Sequence, residues 1–303
     1  MRVVYSDGYF ADIGEHVFPM EKYRLVKEKL VTEGVISDQD LVEPEPVTEA
    51  DILLVHDPVY VRNLRLDLLT PEELLVLEIP SSRAVFEAFA LMAGGTVAAS
   101  RTALEDGVAA SIGGGFHHAF PDHGEGFCML NDVAIAVEKL MAEKLVSRAL
   151  IVDCDLHQGN GTAAVFRGRP DVYTFSIHQE HNYPFPKQKS TLDIGLADGT
   201  AGDEYNARLL KALPPMFKNF RPDLAIYLAG ADPYEQDQLG ALKLTKDDLR
   251  QRDRIVMSMA RGFRVPVCVL LAGGYARDTA DTVDIHCRTI AVAKEFSGFG
   301  SET

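Results

Sequence analysis

The sequence predicts an α/β fold: a single doubly wound domain on a mostly parallel sheet flanked by helices. Three observations predict it. Apolar runs of strand length alternate along the chain with longer amphipathic stretches. The short runs are rich in Val, Ile, Leu and Ala and lack polar alternation, as expected of strands covered on both faces. Nothing in the 303 residues reads as a linker, a repeat or a low-complexity tract that would divide them.

The strand candidates, in order, are VVYS (3–6), ILLVH (52–56), VAASIGG (108–114), ALIVDCD (149–155), VYTFSIH (172–178), LAIYLAGAD (224–232) and VCVLLAGG (267–274). Helical patterns fall at 21–33, 82–106, 131–144, 203–219, 245–263 and 279–296. In TKDD (245–248), Thr245 supplies an N-cap and the two aspartates put negative charge in the first turn. The stretch 179–202, QEHNYPFPKQKSTLDIGLADGTAG, carries little regular pattern, and a loop of that length in a compact domain predicts a functional rim or a mobile segment.

Composition narrows the function classes. Apolar residues make up 47% and charged residues 25%, ordinary for a globular protein. No apolar run reaches the ~18 residues that a membrane span needs, and the opening MRVVYSDGYF lacks the apolar core of a signal peptide. A net charge of −15 argues against direct DNA or RNA binding and tolerates a cationic substrate. Cys128, Cys154, Cys268 and Cys287 form no C-x-x-C pair, and Cys154 and Cys268 sit inside apolar runs. Reduced, buried thiols in the cytoplasm are the expectation. Oligomeric state is not readable from these features.

Unusual chemistry collects where strand candidates end. The third runs into GGGFHHAF, with His117 and His118 adjacent; the fourth ends in Asp153, Asp155 and His157; the sixth in Asp232; the seventh in GGY, with Tyr275. Ligands of open parallel sheets sit beyond the carboxyl ends of the strands. Asp155 and His157 are two apart, which in an extended segment points both to one side. With Asp232 they offer two carboxylates and one imidazole, the three-ligand set of a catalytic metal site that keeps a position open. That set suits Zn²⁺, with Fe²⁺ or Co²⁺ as alternatives. A lone D-x-H pair is more often structural; the second aspartate and the paired histidines on glycines 113–115 shift the balance. Asp153 is placed to accept a hydrogen bond from one tandem histidine and fix its tautomer, a helix cap or a second-ion ligand being the plainer readings. On spacing alone, an ordinary rim aromatic is an equal reading of Tyr275.

Taken together, YSDGYF (5–10), HDPVYVRNL (56–64), SIGGGFHHAFPDHGEGFCMLND (111–132), DCDLHQGNG (153–161), FSIH (175–178), AGADPYEQDQLGALKLT (229–245) and LLAGGYARD (270–278) span almost the whole chain. They resemble the zinc-dependent histone deacetylase family, which includes acetoin-utilisation proteins and acetylpolyamine amidohydrolases. SIGGGFHH and HQGNG are most similar to its class IV branch and bacterial relatives. The resemblance implies an arginase/deacetylase-like, roughly eight-stranded sheet and one catalytic domain over 1–303. It implies a deacetylase or deacylase acting on N-acyl-lysine or a related acylated amine. Asp155, His157 and Asp232 then match the zinc ligands and His118 the general base. His117, bonded to Asp153, matches the supporting histidine, and Tyr275 the donor to the oxyanion. Gly126 and Phe127 match the wall of the acyl-lysine tunnel, and His16 lies in a segment like one near the entrance. Asp153, Asp155, His157, Ser176 and Ile177 match the surroundings of a structural monovalent cation, usually K⁺. Tyr183 and Phe185 belong to the rim loop and are candidates for the mouth.

One position departs from many members. Asn160 stands where class I enzymes carry an aspartate that orients the second histidine; an amide still bonds the ring but brings no charge, so His118 is expected to be a weaker base. The resemblance implies that this variant is normal in class II and IV branches. Acetylpolyamines and small acetylated metabolites fit the same core. An arginase-like ureohydrolase, with two Mn²⁺ ions, needs an aspartate two residues after the strand-end histidine, and Gly159 stands there. A catalytically silent binding module is the third reading, and the intact set Asp155, His157, Asp232, His118 and Tyr275 argues against it.

Overall fold

The structure is a computed structural model that describes residues 1–298. Eight strands lie in one sheet: β1 (Val3–Val4), β2 (Leu41–Val42), β3 (Val108–Ser111), β4 (Ala149–Asp153), β5 (Val172–Gln179), β6 (Leu192–Leu196), β7 (Leu224–Leu228) and β8 (Val267–Leu270). Their order is β2-β1-β3-β8-β7-β4-β5-β6, and every pairing is parallel. Every residue of β3, β4, β7 and β8 is buried, which accounts for the missing polar alternation.

The helices among the described residues are α1 (Lys22–Thr32), α2 (Glu49–Ile52), α3 (Pro58–Arg65), α4 (Pro71–Leu77), α5 (Arg83–Asp106), α6 (Asp132–Ala142), α7 (Asn160–Val165), α8 (Gly202–Pro215), α9 (Lys246–Phe263) and α10 (Thr279–Glu295). The long apolar α5 packs on β3 and β8 and against α6; α8, α9, α10 and α1 pack one on the next. None of the described helices is long and apolar enough to cross a membrane. The chain steps from β3 to β4 and later fills the gap with β7 and β8. At that switch point the carboxyl ends of β3, β8, β7 and β4 open side by side, where doubly wound sheets take ligands.

Several expectations are corrected. ILLVH (52–56) is not a strand. Thr48 caps α2 through a reciprocal pair, its hydroxyl accepting from the Asp51 N–H at 3.2 Å while Asp51 Oδ2 accepts from the Thr48 N–H at 3.0 Å. That cap commits the chain to a helical turn before the apolar run begins. The patternless stretch 179–202 contains β6, an edge strand of five residues with Gly195 inside it, too short and too exposed to alternate clearly. The two-residue β2 and the short α2, α3, α4 and α7 also lie outside the expected patterns. Asp57-Pro58 and Thr70-Pro71, an N-cap followed by proline, mark the starts of α3 and α4. β4, β7 and β8 end earlier than their apolar runs, because the loops beyond them are buried as well.

At the start of α9, the Thr245 hydroxyl accepts from the Asp248 N–H at 3.2 Å and Asp248 Oδ2 accepts from the Thr245 N–H at 2.9 Å. Thr245→Ala leaves one of these donors unpaired. We expect a loss of ~1 kcal/mol, read as a lower urea midpoint at unchanged m-value.

Candidate active site

The site is assembled from loops that follow β3, β4, β7 and β8. Asp153 is the last residue of β4. The Asp155 N–H donates to Asp153 Oδ1 at 3.1 Å, and the His157 N–H donates to Asp155 Oδ1 at 3.0 Å. Asp155 and His157 therefore converge through two successive aspartate-capped turns, not through the side alternation of an extended strand. After β7, Asp232 Oδ1 accepts from the Leu156 N–H at 2.9 Å. After β8, the Gly273 N–H donates to Asp155 Oδ2 at 2.8 Å. A Cβ on Gly273 would lie 2.3 Å from Asp232 Oδ2 and 2.6 Å from Asp155 Oδ2, so only glycine closes this turn over the two carboxylates. Beneath them Arg252 of α9, fully buried, pairs with Asp253 at 2.9 Å. It donates to the carbonyl of Gly230 at 2.5 Å and approaches that of Cys154 at 3.4 Å.

One donor atom from each of Asp155, His157 and Asp232 lies within 4.8 Å of the others. His157 Nδ1 is 3.3 Å from both Asp155 Oδ1 and Asp232 Oδ2. Asp232 Oδ2 is buried and makes no hydrogen bond among the described residues. Burial and the charge of Asp155 push the Asp232 carboxyl up to about 7. A cation among the three donors removes both penalties, so the residues fit a metal ion. Two carboxylate oxygens and one imidazole nitrogen suit a divalent transition ion.

The tandem histidines stand on the loop after β3, where Gly114 and Gly115 have φ of 76° and 88°. Asp132, at the start of α6, holds this loop by accepting from the N–H groups of Gly115 and Phe116 at 2.9 and 2.7 Å. His117 Nδ1 is 2.7 Å from Asp153 Oδ2, His118 Nδ1 is 2.6 Å from Asn160 Oδ1, and the two Nε2 atoms are 3.1 Å apart. Burial opposes charge on His117, but Asp153 and Asp155 outweigh it and raise the ring to about 9. Burial and the charges on His117 and His157 hold His118 well below the usual imidazole range. A carboxylate beside His117 and an amide beside His118 thus give two adjacent rings different surroundings.

Tyr275 is anchored by its backbone: its N–H donates to Asp237 Oδ2 at 2.7 Å, and Gly274 before it has φ of 150°. Its ring meets Phe127 edge-on at 5.7 Å. Phe127 stacks on Phe18 at 6.2 Å and meets His16 at 4.9 Å. A cavity of 200 Å³ is lined by His118, Gly126, Phe127, His157, Tyr183 and Tyr275, together with Glu78, Asn182 and Leu239. A Cβ on Gly126, at φ 51°, would lie 2.9 Å from the Tyr183 ring and 3.0 Å from His118.

The other named residues fall less centrally. Ser176 is the register partner of Asp153, and its hydroxyl lies 2.9 Å from His178 Nδ1; Ile177 is buried on β5. Phe185 is 74% exposed and does not line the cavity. Sequence reasoning missed Glu125, Asp237, Arg252 and Lys22. Glu125 had a signal: a charge between Gly124 and Gly126 in HGEGFC. Its Oε1 accepts from Asn160 Nδ2 and from the Tyr183 hydroxyl, both at 2.7 Å. Lys22 had none, since it reads as the polar side of α1; it is buried, donates to the Ala272 carbonyl at 2.8 Å, and is lowered by burial to about 8.

This arrangement of loops at the ends of a parallel sheet agrees with comparisons against known proteins. A family profile described as the histone deacetylase domain matches residues 16–290. The chain belongs to the histone deacetylase family and is a hydrolase of that class. It is 41% identical to an uncharacterized protein of Picosynechococcus, over 94% of this chain and 95% of that one. It is 33% identical to histone deacetylase 2 of Arabidopsis thaliana, over 93% of this chain and 76% of that one. A crystal structure of an HDAC homologue complexed with SAHA superposes with a TM-score of 0.83 at 25% identity, covering 100% of this chain and 84% of that one.

Gly273→Ala tests the cradle. Its methyl group displaces the carboxylates, and metal affinity should fall ~10–100-fold, measured as metal retained after dialysis against a graded chelator.

Proposed function

We propose that the chain is a zinc-dependent amidohydrolase that removes the acyl group from N-acyl-lysine or a related acylated amine. The observation that carries the reading is the buried Asp155–His157–Asp232 cluster beside a 200 Å³ cavity into which His118 and Tyr275 also face. Bound at these three residues, Zn²⁺ (or Fe²⁺) supplies Lewis-acid activation of the amide carbonyl and of a water. His118, held neutral, takes the proton of the attacking water at Nε2. The Tyr275 hydroxyl donates to the carbonyl oxygen as negative charge develops there, and one such donor is worth ~3–4 kcal/mol. His117, charged and held by Asp153, stabilises that charge and supplies a proton to the leaving amine. Phe127 and Tyr183 flank the aliphatic stem of the acylated side chain.

Two further elements belong to the proposal. Ser176, within β5, is the register partner of Asp153 at the end of β4, which supports a monovalent cation such as K⁺ beside Asp153, Asp155, His157, Ser176 and Ile177. Four unpaired, buried cysteines support a reducing, cytoplasmic setting. A second reading, an acetylated polyamine as substrate, is favoured by one observation: an acidic residue, Glu78, is among those that line the same cavity.

Asp155→Ala and Asp232→Ala should each lose metal and hydrolysis together; full activity in either overturns the ligand assignment. Tyr275→Phe should keep its metal and slow hydrolysis ~10²–10³-fold. SAHA should inhibit. Acyl-lysine peptides of graded chain length, assayed beside acetylated polyamines, decide the substrate class.

A further inference from the structure

Asn160 presents a problem that its own chemistry does not solve. A primary amide has one face that accepts and one that donates, and rotation by half a turn exchanges them. Facing His118 Nδ1 with its oxygen, the amide accepts a hydrogen bond from Nδ1–H and leaves Nε2 unprotonated, with its lone pair, 3.1 Å from His117 Nε2. Facing it with its NH₂, the amide stabilises the other tautomer, which carries its proton on Nε2 and has no lone pair for catalysis. An aspartate at this position would have no such ambiguity, because both its oxygens accept. Asn160 is 2% exposed, so water does not choose between the two faces.

A group that selects the face lies on the far side of the amide. Glu125 Oε1 is 2.7 Å from Asn160 Nδ2, while Asn160 Oδ1 is 2.6 Å from His118 Nδ1. A carboxylate only accepts, so it admits only the NH₂ face of the amide and turns the oxygen to the histidine. We propose that Glu125 is a positioning residue which, through Asn160, fixes the catalytic tautomer of His118. The inference rests on the reading of His118 as the general base. Hydrogen bonds support the ionised state of Glu125: burial opposes its charge, but His123, Tyr183 and Asn160 together lower it. The same oxygen takes the Tyr183 hydroxyl at 2.7 Å, and the Tyr183 ring lies edge-on to His118 at 5.1 Å. One carboxylate therefore holds both the amide behind the base and the aromatic beside it.

The test is a double-mutant cycle. Glu125→Ala should lower kcat ~10–100-fold with KM and metal content little changed. Glu125→Gln, whose amide can turn either its oxygen or its NH₂ to Asn160, should recover only part of that loss. In an Asn160→Asp background, where both oxygens accept, Glu125→Ala should cost nothing or raise the rate by removing a like charge. ¹⁵N spectra of the metal-free protein, with the His118 signals assigned by their loss in His118→Ala, should show the proton on Nδ1 in the parent and a mixture of tautomers in Glu125→Ala. Unchanged kcat in Glu125→Ala, an equal loss in both backgrounds, or an unchanged tautomer overturns the proposal. Retained activity in His118→Ala instead overturns the base assignment, independently of Glu125.

Discussion

Everything at the site follows from burying carboxylates next to one another. Asp153, Asp155 and Asp232 are at most 3% exposed and stand at the ends of two adjacent strands, β4 and β7. Removing an unpaired carboxylate from water costs several kcal/mol even after relaxation. The fold offsets this with donors from every side: the N–H groups of Asp155, Leu156, His157 and Gly273, and the ring of His117. Arg252 and Lys22, both buried, add positive charge from α9 and α1 while bonding to carbonyls of the same loops. What stays unmatched is Asp232 Oδ2, aimed at the point where Asp155 and His157 also aim. Among the three carboxylates it is the one oxygen without a hydrogen bond, and it marks the candidate metal site.

The same field gives the two histidines different surroundings. His117 touches Asp153 and lies 3.7 Å from Asp155, so charge on it is favoured despite burial. His118 faces an amide, and charge on it is opposed by burial and by His117 and His157. The carboxylate stands one contact further out, with Glu125 bonded to Asn160 and Asn160 to His118, so no carboxylate touches the His118 ring through Nδ1. Packing reinforces this: a Cβ on Gly161 would lie 2.4 Å from the Ala119 carbonyl, so α7, which begins with Asn160, presses directly under the histidine loop.

The cavity walls are built from separate elements held by backbone bonds. The N–H groups of Gly126 and Phe127 donate to the carbonyls of Val76 and Leu77 at 3.2 and 2.9 Å, which docks one wall on the end of α4. The Tyr275 N–H is tied to Asp237, and the Tyr183 hydroxyl to Glu125. The rim segment that carries Tyr183 is thus pinned near His118 rather than free above it. Such pins favour an already shaped slot for a slender stem, and preorganisation of this kind lowers the entropy lost on binding.

Local chemistry determined a good deal without tertiary information. Largely apolar runs of four to five residues at β3, β4, β7 and β8, without polar alternation, leave no polar face for solvent, so parallel strands under two helical layers follow directly. Asp155, His157 and Asp232 were legible as a donor set because charge at the end of a buried run is too costly to be incidental. β6 and the turn at 52–56 were not legible: an edge strand is defined by its partner, and ILLVH is apolar in either conformation. Tertiary structure alone decided the rest. That Lys22 of α1 and Arg252 of α9 point inward, and that Glu125 stands behind Asn160, depends on contacts across wide gaps in the chain. A side chain's protonation and orientation are set by which groups surround it in space, and spacing along the chain carries no record of that.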